Sequence, residues 1–163
     1  MRLFPLGKRF IIFAALIAFG TLAMSGVSMG ATAGININFS APVIPTCEIT
    51  SITDVAFGDY DPLSGTNLDA VGKMTFKCVK NTSYKTYLVG TRHMVGAVEA
   101  DNLNFELYSD DVRTTVYPSD NSGGSTLSFN NGLITSMIYG RVPALQDVSV
   151  DTYSRVLTAT VEY

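Results

Sequence analysis

Side chains able to do chemistry are few. His93 is the only histidine in the 163 residues and stands beside Arg92. A hydrolase needs a nucleophile with an activating base, and nothing in the pattern supplies one to a lone imidazole next to a cation, so His93 reads as structural or solvated. Asp59 and Asp61 open like a calcium loop, but Pro62 follows, Gly65 falls one place late and no Glu closes it, which makes the segment a turn. Asp110 and Asp111 precede Val112 in hairpin-like sequence, where carboxylates face water rather than forming a glycosidase pair. Asn38-Phe39-Ser40 and Asn81-Thr82-Ser83 fit the glycosylation acceptor pattern, which is common by chance and matters only in a eukaryotic secretory route. Phosphate-loop and dinucleotide signatures are missing. Read together, these residues predict a protein that is not an enzyme, with no catalytic set, no cofactor and no metal.

Cys47 and Cys78 are the only two cysteines. What they do depends on the compartment, and the N-terminus addresses that. Arg2, Lys8 and Arg9 precede an apolar run over residues 10–23, the pattern of a secretory signal, and the run is shorter than the roughly 20 residues a membrane-spanning helix needs. Ala31-Thr32-Ala33 and Ala23-Met24-Ser25 are competing cleavage sites, so a signal peptide is expected within residues 1–33, cut somewhere between 25 and 33. In an exported chain two cysteines 31 residues apart read as one disulfide, worth roughly 3.5–4 kcal/mol by loop entropy. Two buried free thiols are the alternative, while a metal site lacks partners.

Without the leader, 8 basic residues remain against 14 acidic ones, a charge of −6, which argues against an electrostatic nucleic-acid binder. Apolar residues make up 47% and charged residues 15%, so the chain can bury a core and does not read as disordered. The elements that must build that core are strands. Ile35, Ile37, Phe39, Ala41 and Val43 alternate with Asn36, Asn38 and Ser40, a period of two that Pro42 and Pro45 interrupt. Further strands are expected over 47–57, 72–79, 85–89, 103–108, 133–142 and 154–163. Leu103, Phe105 and Leu107 alternate with Asn104, Glu106 and Tyr108, and Leu157, Ala159, Val161 and Tyr163 alternate with Thr158, Thr160 and Glu162. Gly, Pro, Asp, Asn and Ser concentrate at 59–66 and 119–125 as turns. An all-β sandwich is expected, with no sustained helical period.

Both ends of this pattern are unusual. The sequence closes on a strongly alternating strand with nothing after it to cover its edge, and it opens on an amphipathic segment that a proline-broken connection frees from the Cys47 strand. An exposed apolar edge invites aggregation unless it is covered. One spare strand and one uncovered groove suggest head-to-tail assembly, in which each subunit's first strand completes the next. On periodicity alone, residues 34–43 as the first strand of their own sandwich is the competing reading.

The spacing of Cys47, the FGDYDP at 57–62, GKMTFKC at 72–78, Arg92-His93-Met94, LNFELYSD at 103–110, YGRVPALQ at 139–146 and DTYSRVLTATVEY at 151–163 resemble the spore coat protein U domain family. That family includes subunits of archaic chaperone–usher pili. The resemblance runs from Cys47 to Tyr163 and implies an incomplete immunoglobulin-like β-sandwich lacking its last strand, completed by donor-strand exchange. It also implies Cys47–Cys78 as the family disulfide. Donor residues would be Ile35, Ile37, Phe39 and Val43 within an N-terminal segment 34–46, ahead of a pilin domain over 47–163. The strand at the edge of the acceptor groove would carry Leu157, Ala159, Val161 and Tyr163. Implied partners are neighbouring pilus subunits of the same or another chain, a periplasmic chaperone and an outer-membrane usher. The implied route runs through the periplasm to a cell-surface pilus serving adhesion and biofilm formation. Asp151 and Arg155 depart from the family's usual Gly before Thr-Tyr and acidic residue after it, so the turn before the last strand is expected to differ. A self-contained secreted β-sandwich, acting as a coat or carbohydrate-binding protein, is the alternative to a pilin.

Overall fold

The computed structural model describes residues 30–163. The leader expected over 1–33 therefore lies, up to residue 29, outside the described residues. Residues through Ser40 form one unit and Ala41–Tyr163 another. Residues 30–46 carry no strand, and Ile35, Ile37 and Phe39 are exposed.

All regular structure in the second unit is β. Ten strands follow in order: β1 Cys47–Thr53, β2 Leu68–Cys78, β3 Ser83–Val89, β4 His93–Gly96, β5 Asn102–Asn104, β6 Glu106–Tyr108, β7 Thr126–Leu127, β8 Leu133–Val142, β9 Tyr153–Ser154 and β10 Thr158–Glu162. They form three antiparallel sheets in the orders β1-β2-β8-β6, β10-β3-β7 and β5-β4-β9. The expected period of two is met on the long strands. Met74, Phe76 and Cys78 of β2 and Ile138 and Val142 of β8 are buried, with Lys73, Lys77 and Thr135 on the opposite face.

The first two sheets are tied at one side by a segment that forms no long strand. Tyr117 N donates to Leu107 O at 2.7 Å and Leu88 N donates to Pro118 O at 3.0 Å, so residues 117–118 bridge β6 and β3. Tyr117 is fully buried there, its hydroxyl donating to Thr86 Oγ1 at 3.1 Å and sharing a hydrogen bond with Ser136 Oγ at 2.8 Å. The backbone ladder thus runs β10, β3, 117–118, β6, β8, β2, β1. It ends on β1 and β10, neither of which has a second strand partner among the described residues.

Two expected strands are broken. The 103–108 run divides into β5 and β6, which belong to different sheets: Asn104 pairs with His93, and Phe105 N then donates to Arg92 O. Alternation survives the break, because Leu103, Phe105 and Leu107 are all buried. The 154–163 run begins as β9 against β4, leaves the ladder over 155–157, and resumes as β10 against β3. Strands β4 and β7 are too short to show a period, and the sequence pattern did not mark them.

Candidate functional site: an apolar groove between two strand edges

A cavity of about 730 Å³ opens between the unpaired edges of β1 and β10. Its floor is the core itself: Leu88, Leu103, Phe105, Leu107 and Ile138. One wall is Ile52 and the chain that follows it to Tyr60, and the other runs over residues 148–155 to Leu157 and Ala159. A groove whose base is the hydrophobic core and whose rims are unpaired backbone can take an extended apolar segment, its backbone bonding to the rims and alternate side chains filling the floor. No cluster of His, Cys, Asp or Glu among the described residues could hold a metal ion.

Two glycines shape this groove. A Cβ on Gly140 of β8 would stand 2.6 Å from Val55 Cγ1 and 2.7 Å from the Phe57 ring, and one on Gly72 of β2 would stand 2.6 Å from the Thr53 carbonyl oxygen. The chain leaving β1 can therefore cross the inner face of the sheet only because both positions lack a side chain. Phe57 then meets Phe105 with ring centroids 6.1 Å apart. Tyr60 pins the far end of the wall: its hydroxyl donates to Pro143 O at 2.9 Å and accepts from Gln146 N at 2.9 Å. Glycine inside a strand pattern is the sequence signal of such a close backbone approach, and both Gly72 and Gly140 carry it.

Polar groups brace the strands and turns outside the groove lining. Asp69 accepts from Arg141 Nε and Nη2 at 2.8 and 2.9 Å and lies 3.4 Å from Arg113 Nη1. The hydrogen bond from Arg141 holds the Asp69 carboxyl below its ordinary range. Arg92 is largely buried, which pulls its guanidinium down from its usual value; it donates to Tyr117 O at 3.3 Å and lies 3.6 Å from Glu106. His93, next to it, pairs with Asn104 in the β4–β5 ladder. Asp61 accepts from Leu63 N and closes a turn with Ser64, as a turn rather than a calcium loop requires. Asp110 caps another turn through Thr114 and Thr115.

Cys47 and Cys78 form a disulfide with Cα atoms 4.1 Å apart, directly opposite one another in the β1–β2 register. Of the residues assigned to the groove-edge strand, Leu157 and Ala159 line the cavity, and Val161 packs on the core farther along β10. Tyr163 lies beyond the strand and is exposed. Val43, like Ile35, Ile37 and Phe39, is exposed, at 81%.

The model of the Spore Coat Protein U domain family matches residues 31–160. The chain belongs to this family. Protein U of Myxococcus xanthus is 29% identical to it over 173 residues, covering 92% of this chain and 96% of that protein. The solved complex of the CsuC chaperone and the CsuE tip adhesion subunit, a pre-assembly complex from the archaic chaperone–usher Csu pili of Acinetobacter baumannii, contains a similar chain. The two superpose with a TM-score of 0.56 at 20% identity, over 74% of this chain and 40% of that one. This Spore Coat Protein U domain is all-β and immunoglobulin-like, as the strand pattern and the resemblance implied.

Proposed function

We propose that this chain is a pilin: a structural, non-enzymatic subunit of a chaperone–usher pilus that polymerises head-to-tail by donor-strand complementation. The observation that carries the reading is the apolar groove between β1 and β10, two strands with a free edge each and core residues lining the cavity between them. Residues 34–43 have the matching chemistry. Ile35, Ile37 and Phe39 recur at every second residue, with Val43 beyond them, and all four are exposed. Each buried Ile or Phe contributes roughly 1.5–3 kcal/mol, so three or four anchors give on the order of 6–10 kcal/mol gross, before ordering costs and ladder bonds. The groove of one copy would take the segment of another, a heterologous contact that does not close on itself.

The rest of the reading follows from that joint. Before assembly the apolar groove and its two free strand edges would need a periplasmic chaperone, which would grip the β10 edge first; an outer-membrane usher would then carry out the exchange. The leader pattern and the disulfide support passage through the periplasm to a cell-surface pilus serving adhesion and biofilm formation. Ile37→Asp or Phe39→Asp, each forcing a charge into a dry groove, should leave chaperone binding largely intact and abolish filaments seen by negative-stain microscopy. Filaments of normal length and yield from either variant would refute the donor assignment.

A further inference from the structure

The second unit has two distinct poles. At one, the disulfide, the 79–82 turn and the 128–133 turn meet: Val79 N donates to Thr46 O, Asn81 N to Ser128 O, and Lys80 N to Asn131 Oδ1. This pole exposes Phe129 at 80%, Ile44 at 70% and Leu133 at 69%. At the other, the loop leaving β1 and the loop between β8 and β9 frame the mouth of the groove, and Val150 and Val156 stand out fully exposed. The poles also differ in charge. Lys77, Lys80 and Lys85 outnumber Glu48 and Glu162 around the first, whereas Asp54, Asp59, Asp61 and Asp147 outnumber Lys73 and Arg155 around the second.

We propose that these poles dock on one another in successive copies of this chain, the Phe129 pole of each subunit seated on the groove mouth of the next. The proposal rests on the donor-strand reading and adds a second surface to it. With Val43 as the last anchor in a neighbour's groove, only residues 44–46 separate that groove from Cys47, a reach of about 10 Å. Two domains joined so closely must touch. The cavity walls gather at 52–60 and 148–157, at the pole opposite the disulfide, so that is where the linker emerges and where the Phe129 pole is brought. Apolar side chains then meet apolar side chains, and an excess of lysine meets an excess of aspartate; two copies of the same pole would repel. Such a contact turns a flexible string of beads into a fibre with a preferred angle at each joint.

Phe129 replaced by p-benzoylphenylalanine in the full chain, assembled in cells and irradiated, should crosslink to residues 143–157 of another copy, read by mass spectrometry. Phe129→Glu with Leu133→Glu should still fold, because both positions are exposed, and should still polymerise, but with joints dissociating roughly tenfold faster and more bent filaments. Raising salt should loosen wild-type joints in the same direction. Filaments with no adduct between position 129 and that segment, or a double variant with wild-type joint lifetime, overturn the docking. A synthetic peptide of residues 34–46 separates the two ideas. Where it binds the groove and filaments form without the adduct, the docking alone fails; where it does not bind and the wild type forms no filaments, the donor reading fails and takes the docking with it.

Discussion

Tyr117 shows what a single residue contributes. It is 1% exposed in a stretch of turns, and its hydroxyl meets Thr86 and Ser136 from the two sheets that its backbone bridges. Tyr117→Phe removes one oxygen and leaves two hydroxyls short of a partner, so it should cost about 1 kcal/mol, measured by chemical denaturation of the subunit saturated with donor peptide. Asp69 works at the same scale. Its carboxyl titrates below the ordinary range because Arg141 bonds the ionised form, and Asp101, Asp110, Asp120 and Asp151 are lowered by hydrogen bonds of their own. Depressed folded values mean that the unfolded chain binds protons first on acidification. The stability these groups supply is complete near neutral pH and is lost as the pH falls through and below about 4. Asp69→Asn should lower the melting temperature at pH 7 and flatten its decline between pH 5 and 2.

Among the elements, β1 is the one on which the proposed joint pulls directly. After Cys47 every residue of it is exposed, it pairs on one side only, and it is both a rim of the groove and the continuation of residues 44–46. The Cys47–Cys78 bond ties its first residue to a buried position on β2, so a pull along residues 44–46 reaches the core instead of peeling β1 away. Cys78→Ala should lower the periplasmic yield of subunit, and reduction should shorten filament lifetime under flow far more than at rest. A Cys78→Ala subunit at normal levels would count against the staple. Gly140→Ala tests the chain that continues this wall beyond β1. Its new methyl must displace Val55 or Phe57, which should cost about 1–3 kcal/mol and weaken binding of the 34–46 peptide.

For the whole molecule the decisive quantity is the state of association. A subunit whose core is open between β1 and β10 should, when produced without a partner, be poorly stable or form ladders of polymers that survive mild denaturant. A self-contained sandwich would elute from size exclusion as a stable monomer. Adding the 34–46 peptide should convert the former into a monomer with a raised melting temperature, since a ligand that binds only the folded state stabilises it by mass action.

Much of this was legible from local pattern. Alternation at Leu103, Phe105 and Leu107, and again at Leu157, Ala159 and Val161, marks which face turns inward, because a strand's side chains alternate whatever it pairs with. The even cysteine count in a chain with an export pattern marked the disulfide, and the surplus of unpaired alternating segments at both ends raised the question of assembly. Other features follow from hydrogen bonds between residues far apart in sequence, which no local period encodes. That the 103–108 run serves two sheets, that Tyr117 bridges them, and that Gly72 and Gly140 clear a path for residues 54–57 were decided only when the strands were laid side by side. The gap between β1 and β10 is the same kind of fact: each strand's edge is left free by which neighbours the others took, so the groove belongs to the pairing of the fold and not to any one segment.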